Sequence, residues 1–113
     1  MSQKSINELL QSQCKPGRPL LSDKEREAYL SLLHKDWKLK KGDRKISRQI
    51  GFKNYYETIA FVNTVAWVAH QEDHHPDLKV SYSQCKISLS THDADGITKN
   101  DFICAAQIDQ LLA

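Results

Sequence analysis

The sequence predicts an α+β domain: a four-stranded antiparallel sheet with three helices packed on one face, in the order α-β-β-α-β-β-α. Three observations carry that reading. Two regions alternate apolar and polar residues on either side of a short turn, which is hairpin patterning. Two boxes, Ser22-Asp23-Lys24-Glu25 and Thr98-Lys99-Asn100-Asp101, have the form of helix starts, in which a hydroxyl accepts an orphan N–H and an acid reaches back. Between the two hairpins lies the most apolar stretch of the chain, Thr58 to Gln71, with its apolar residues at helical spacing.

Residues 1–20 read as an irregular N-terminal extension that ends in Lys15-Pro16-Gly17-Arg18-Pro19, a run unsuited to regular structure. Within it, only Ile6–Leu10 is suited to one or two helical turns. Residues 21–113 form a single domain. Its first helix runs from the Ser22 box to about His34, with Tyr29, Leu30 and Leu33 as its apolar stripe. Trp37 and Leu39 flank a lysine and predict a short strand. Lys40-Lys41-Gly42-Asp43 is the turn, and a second strand follows from about Lys45 to Phe52. Ile46, Ile50 and Phe52 share a parity that Arg48 interrupts.

Asn54 is the cap of the central helix. Ile59, Val62, Ala66 and Ala69 hold one of its faces, and Phe61, Val65 and Val68 a neighbouring one. A helix apolar over so much of its surface needs cover on more than one side, from the sheet and from another subunit. It must end before Pro76, because the residue preceding a proline is pushed out of the helical region. Leu78, Val80 and Tyr82 alternate, as do Cys85, Ile87, Leu89 and Thr91, so each set predicts a strand with one buried face, joined at Ser83-Gln84. This places Cys85 in the core as a small apolar residue and gives Tyr82 a packing role. The last helix carries Phe102, Ala105, Ile108 and Leu112 on one stripe.

Composition excludes several classes. A chain of 113 residues is one domain, and 40% apolar with 27% charged residues is ordinary for a globule. No run approaches the roughly 18 apolar residues of a membrane helix. The opening Met-Ser-Gln-Lys-Ser lacks the apolar core of an export signal. Three cysteines, Cys14, Cys85 and Cys104, form an odd set without a C-x-x-C pair, as expected of reduced thiols in a cytoplasm. Residues 1–50 hold 12 Lys/Arg against 6 Asp/Glu, whereas residues 51–113 hold 4 against 8. The basic run from Lys35 to Arg48 reads as a solvated hairpin, because no nucleic-acid motif accompanies it.

Four of the five histidines fall between 70 and 92: His70, His74, His75 and His92. Imidazole is the side chain that exchanges a proton near neutrality. His70 and His74 are four apart, so on a continuous helix they share a face. His92 ends the last strand beside a loop holding Asp93 and Asp95. Three readings compete for this set. The first is a scatter of polar residues at element ends. The second is a metal site, for which His70-x-x-x-His74 has zinc-ligand spacing but Gln71 stands where a H-E-x-x-H motif has its glutamate. The third is metal-free acid–base catalysis by imidazoles.

The spaced set His70-x-x-x-His74-His75-Pro76, then Tyr82, His92 and Asp101, resembles the signature of the pterin-4a-carbinolamine dehydratases. The resemblance extends over about residues 22–112 and includes Trp37, Val80-Ser81-Tyr82, Ser90-Thr91-His92 and Gly96-Ile97-Thr98. It implies loss of water from a 4a-hydroxytetrahydropterin, with the pterin as substrate and no cofactor or metal. It implies His74, His75 and His92 as catalytic residues, with His74 and His92 the foremost acid–base pair. It also implies His70, Pro76, Ser90 and Thr91 as substrate-binding residues, with Ser90 and Thr91 offering backbone or hydroxyl hydrogen bonds. Where the family often has glutamate, this chain has His70. Asp101 belongs to the signature but also stands at the capping position three residues after Thr98. The resemblance implies a homodimer or homotetramer, a link to an aromatic amino-acid hydroxylase, and no membrane or direct nucleic-acid partner. Its alternative is a non-catalytic interaction module, since animal members also act as dimerisation partners of a transcription factor.

Overall fold

The computed structural model describes residues 5–39 and 42–113. Its elements, in chain order, are α1 (Ile6–Gln11), α2 (Asp23–Leu30), β1 (Ile46–Gly51), α3 (Tyr55–Glu72), β2 (Asp77–Val80), β3 (Gln84–Leu89), a 3₁₀ turn (His92–Ala94) and α4 (Lys99–Leu112). The class is α+β as predicted, but the count is not. Among the described residues the sheet has three strands, in the order β1-β3-β2 with both pairings antiparallel, and there are four α-helices.

The missing fourth strand is the piece predicted around Trp37–Leu39. Lys38 exchanges two backbone hydrogen bonds with Ser47, at 2.7 and 3.1 Å, and among the described residues the pairing goes no further. The cause is a competing anchor. Asp109, near the end of α4, accepts hydrogen bonds from the His34 N–H (2.9 Å) and the Trp37 indole N–H (2.8 Å). These bonds draw the segment toward α4 and bury the indole. The predicted turn residues Lys40 and Lys41 lie outside the described residues.

The additional helix is α1. Ser5 caps it by accepting the Glu8 N–H (3.1 Å). Six residues cannot sustain a helix alone. This one is held because Leu9 is completely buried against α4, a contact of roughly 2 kcal/mol for a leucine. α2 begins at the predicted Ser22 capping box, with both reciprocal bonds present, and ends at Leu30, short of His34.

One face of the sheet is built by Ile46, Arg48 and Ile50 of β1, in register with Leu89, Ile87 and Cys85 of β3. α3 and α4 pack on that face. Arg48 therefore does not break the buried parity but belongs to it. Its guanidinium Nη1 donates to Asp109 Oδ1 at 2.6 Å, and the side chain is only 9% exposed. β2 departs from the prediction: Leu78 is half-buried, but Val80 and Tyr82 are exposed, and Tyr82 stacks on Tyr55 across the turn. On α3 the buried set is Thr58, Phe61, Val65, Val68 and Ala69. Tyr56, Ala66 and Trp67, on the outward side, are open to solvent. Among the described residues, no helix is long and apolar enough to cross a membrane.

Asp109→Ala strands the buried Arg48 charge and frees the Trp37 segment, so it should destabilise the fold by about 3 kcal/mol. Urea unfolding followed by far-UV circular dichroism measures this, and a midpoint equal to wild type would refute the anchoring role.

Candidate functional site

α3 ends at Glu72 because Asp73 adopts a left-handed backbone (φ 50°), a conformation that short polar side chains tolerate. The Asp73 N–H returns to His70 O (3.3 Å) and the His74 N–H to Ala69 O (3.2 Å), which closes the helix. His74, His75 and Pro76 then lead into β2. The helix break separates His70 from His74: the i, i+4 relation that would align them needs a continuous helix, and here it stops between them. His70 lies exposed on α3.

A cleft of about 550 Å³ opens beside this corner. Its lining comes from residues 72–75, from residues 90–94 after β3, from Asn100 at the start of α4, and from residues 14–18 of the N-terminal extension. The cleft brings together His74, His75, His92, Ser90 and Thr91. It does not include His70 or Pro76. Among the described residues, no group of three or more His, Cys, Asp or Glu side chains is arranged to hold a metal ion.

The three imidazoles sit in different settings. His75 and His92 are exposed, and their rings make no hydrogen bond among the described residues. The His74 side chain is only 10% exposed, and its Nε2 lies 2.6 Å from Oδ1 of the completely buried Asp101. A carboxylate can only accept, so Nε2 carries the hydrogen and Nδ1 is the nitrogen left for a ligand. The other oxygen, Oδ2, accepts the Thr98 N–H (2.9 Å) and the Thr91 hydroxyl (2.9 Å). The Thr98 hydroxyl, 2.8 Å from Thr91 Oγ1, donates to it in turn and accepts the Asn100 N–H (3.2 Å).

This network divides the two hydroxyls that the sequence paired. Thr91 is committed to Asp101, and its backbone is closed on Gly96 and Ala94 across the 91–96 loop. Ser90 keeps a hydroxyl with no hydrogen-bond partner among the described residues. The sequence reading placed Asp101 as a capping residue. It is that, and with its second oxygen it is also the group that positions His74. A carboxylate at the third position of a capping box, in a helix whose first turn is otherwise buried, was the signal available. Residues 14–18 carried no such signal.

The three cysteines are free. Hydrogen bonding to the Cys104 thiol, followed by burial, pushes the Cys14 thiol well above the ordinary thiol range. Burial raises Cys85. Neither is a ready thiolate nucleophile at neutral pH.

Comparison with known proteins places this geometry in a family. The family model described as Pterin 4 alpha carbinolamine dehydratase matches residues 19–111. A Nitrosomonas eutropha protein with the provisional name pterin-4-alpha-carbinolamine dehydratase is 51% identical over 111 residues, covering 96% of each chain. The crystal structure of a transcriptional coactivator/pterin dehydratase from Brucella melitensis superposes with a TM-score of 0.77 at 27% identity, covering 82% of this chain and 98% of that one. A pterin dehydratase-like protein identified as a RuBisCO assembly factor in the alpha-carboxysome shares the fold, with a TM-score of 0.59 at 21% identity over 69% of this chain and 90% of that one.

Asp101→Ala removes an acceptor from three donors at once. It should cost about 1–3 kcal/mol in urea unfolding, from the lost cap and the unpaired partners. In long-range proton–nitrogen NMR, wild-type His74 should be the Nε2–H tautomer at alkaline pH, and the variant should lose that preference. A variant with an unaltered His74 spectrum would contradict the positioning role.

Proposed function

The chain belongs to the pterin-4a-carbinolamine dehydratase family, and from that premise we propose that it eliminates water from a 4a-hydroxytetrahydropterin to give the quinonoid dihydropterin. The observation that carries the reading is the convergence of three imidazoles, from the α3–β2 corner and the end of β3, on one cleft large enough for a bicyclic heterocycle.

The reaction is a redox-neutral elimination in which the C4a–O bond breaks. The C4a hydroxyl takes a proton from an acid and leaves as water. The N5–H bond breaks, its proton passes to a base, and its electron pair forms the C4a–N5 double bond. Each acid or base step in such chemistry is worth roughly 10²–10⁴-fold. His74 is fitted to proton transfer at a fixed position, because Asp101 holds its ring and sets its tautomer. His75 and His92 meet the same ligand from the solvent side, and Ser90 has a hydroxyl free to bond the ring. The proposal needs no cofactor. The reaction that supplies the carbinolamine is a pterin-dependent hydroxylation, such as that of an aromatic amino-acid hydroxylase, in the same compartment.

A second reading rests on a separate observation, the apolar outward side of α3. Trp67 is 65% exposed and Tyr56 is also open to solvent. The Brucella relative is titled a coactivator as well as a dehydratase. We propose this face as the surface of self-association into a dimer or tetramer, and of any interaction role.

Stopped-flow dehydration of synthetic carbinolamine tests the enzymatic reading. His74→Ala and His92→Ala should each lower turnover by about 10²–10⁴-fold, with circular dichroism and oligomeric state preserved. Wild-type turnover in both variants would reject the assignment. Trp67→Glu should lower the mass measured by light scattering after gel filtration, and an unchanged mass would remove the α3 face from the assembly.

A further inference from the structure

Five of the residues lining the cleft, Cys14 to Arg18, precede the segment matched by the family model, which begins at residue 19. The alignment with the Nitrosomonas eutropha protein covers 96% of this chain, so it reaches across this strap.

The strap is fastened to the end of α3 and the start of α4. The Cys14 N–H donates to Glu72 Oε1 (2.8 Å) at the end of α3, and the Glu72 Oε2 atom accepts Gln107 Nε2 (3.2 Å) from α4. The buried Asn100 grips Lys15 at two points: its Oδ1 accepts the Lys15 N–H (3.2 Å) and its Nδ2 donates to Lys15 O (2.8 Å). The Cys14 thiol rests on the Asn100 carbonyl (3.5 Å). The chain then reverses at Pro16-Gly17, where Gly17 takes φ 82°, a value open to glycine. The backbone is thus set against the cleft before any ligand arrives.

The strap also carries the cleft's only lysine and arginine among the described residues. Lys15 has no carboxylate partner among the described residues. The Arg18 Nη2 donates to Gln13 O (3.1 Å), and the buried Nε has no partner there. The segments holding the histidines supply the opposite charge: Glu72, both of whose oxygens are engaged, and the exposed Asp73 and Asp93.

We infer that this strap is a specificity wall, and that Lys15 with Arg18 selects pterins whose C6 side chain ends in an oxyanion, a carboxylate or a phosphate. The inference rests on the pterin reading of the cleft. The fused ring, common to every such substrate, is met by residues within the family segment. The C6 substituent, which differs between substrates, is met by the part of this chain that lies outside it.

The test compares 6-methyl-7,8-dihydropterin, 6-carboxy-7,8-dihydropterin and 6-hydroxymethyl-7,8-dihydropterin phosphate, binding to the full-length protein by fluorescence titration. Wild type should bind at least one oxyanion-bearing pterin at least fivefold more tightly than the methyl pterin. The carboxylate and phosphate arms decide which anion is preferred. Lys15→Glu should reduce that ratio at least tenfold, and Lys15→Arg should restore it. A disturbed fold would weaken all three ligands together and leave the ratio intact. A wild-type ratio near one overturns the inference, as does a Lys15→Glu ratio within twofold of wild type when the variant binds the methyl pterin as tightly as wild type. Because binding is read without turnover, an inactive wild type that keeps the ratio refutes the dehydratase reading alone. Full turnover without the ratio refutes the strap alone.

Discussion

The arrangement of the cleft depends on one buried carboxylate. Asp101 is completely excluded from solvent, and an isolated charge there would be costly. It is tolerated because its oxygens accept from the Thr98 N–H, the Thr91 hydroxyl and His74 Nε2. Each of those donors belongs to a different part of the cleft: the start of α4, the end of β3 and the α3–β2 corner. One side chain thus closes the helix start, fixes the loop that carries His92 and sets the tautomer of His74. The capping of a helix N-terminus and the orientation of His74 are met by the same carboxylate.

A second carboxylate repeats the device at the other end of α4. Asp109 gathers Arg48, the Trp37 indole and the His34 N–H. The two acids are eight residues apart, about 12 Å along a helix. α4 is therefore a spine with a polar anchor near each end and an apolar middle of Phe102, Ala105 and Ile108 against the sheet. Apolar packing fixes where the helix lies but not its axial position. Directional bonds at both ends fix that position to within a fraction of a turn.

What the sequence disclosed follows from the range of the forces involved. Capping boxes at Ser22 and Thr98, the Asn54 cap and the alternation of Cys85, Ile87 and Leu89 are local signals, and each matches the structure. Arg48 and the Trp37 strand were misread because their partner, Asp109, is 61 and 72 residues away. No window of sequence contains that bond. The same limit applies to the cleft. The spaced histidines drew attention to residues 74, 75 and 92, but the division between Thr91 and Ser90 depends on a carboxylate ten residues from the one and unbonded to the other. His70 looked equivalent to His74 only while the helix was assumed to continue, and a single left-handed residue, Asp73, ends it. The strap was least legible. Its polar residues and Pro-Gly turn have the composition of a tail, and its order comes wholly from Asn100, Glu72 and the burial of Leu9.

The contrast between His74 and the other two rings bears on how such a site can work without holding a reactive group at rest. The proposed dehydration would need proton-transfer groups at defined distances from two substrate atoms. His74 is nearly enclosed and oriented by a buried charge, whereas His75 and His92 are exposed and unconstrained by any hydrogen bond among the described residues. A ring filling the cleft would remove water from the exposed pair and leave the enclosed one as it was. The cleft thus holds chemically identical side chains in two settings, one ring enclosed and oriented by a buried carboxylate and two rings open to solvent.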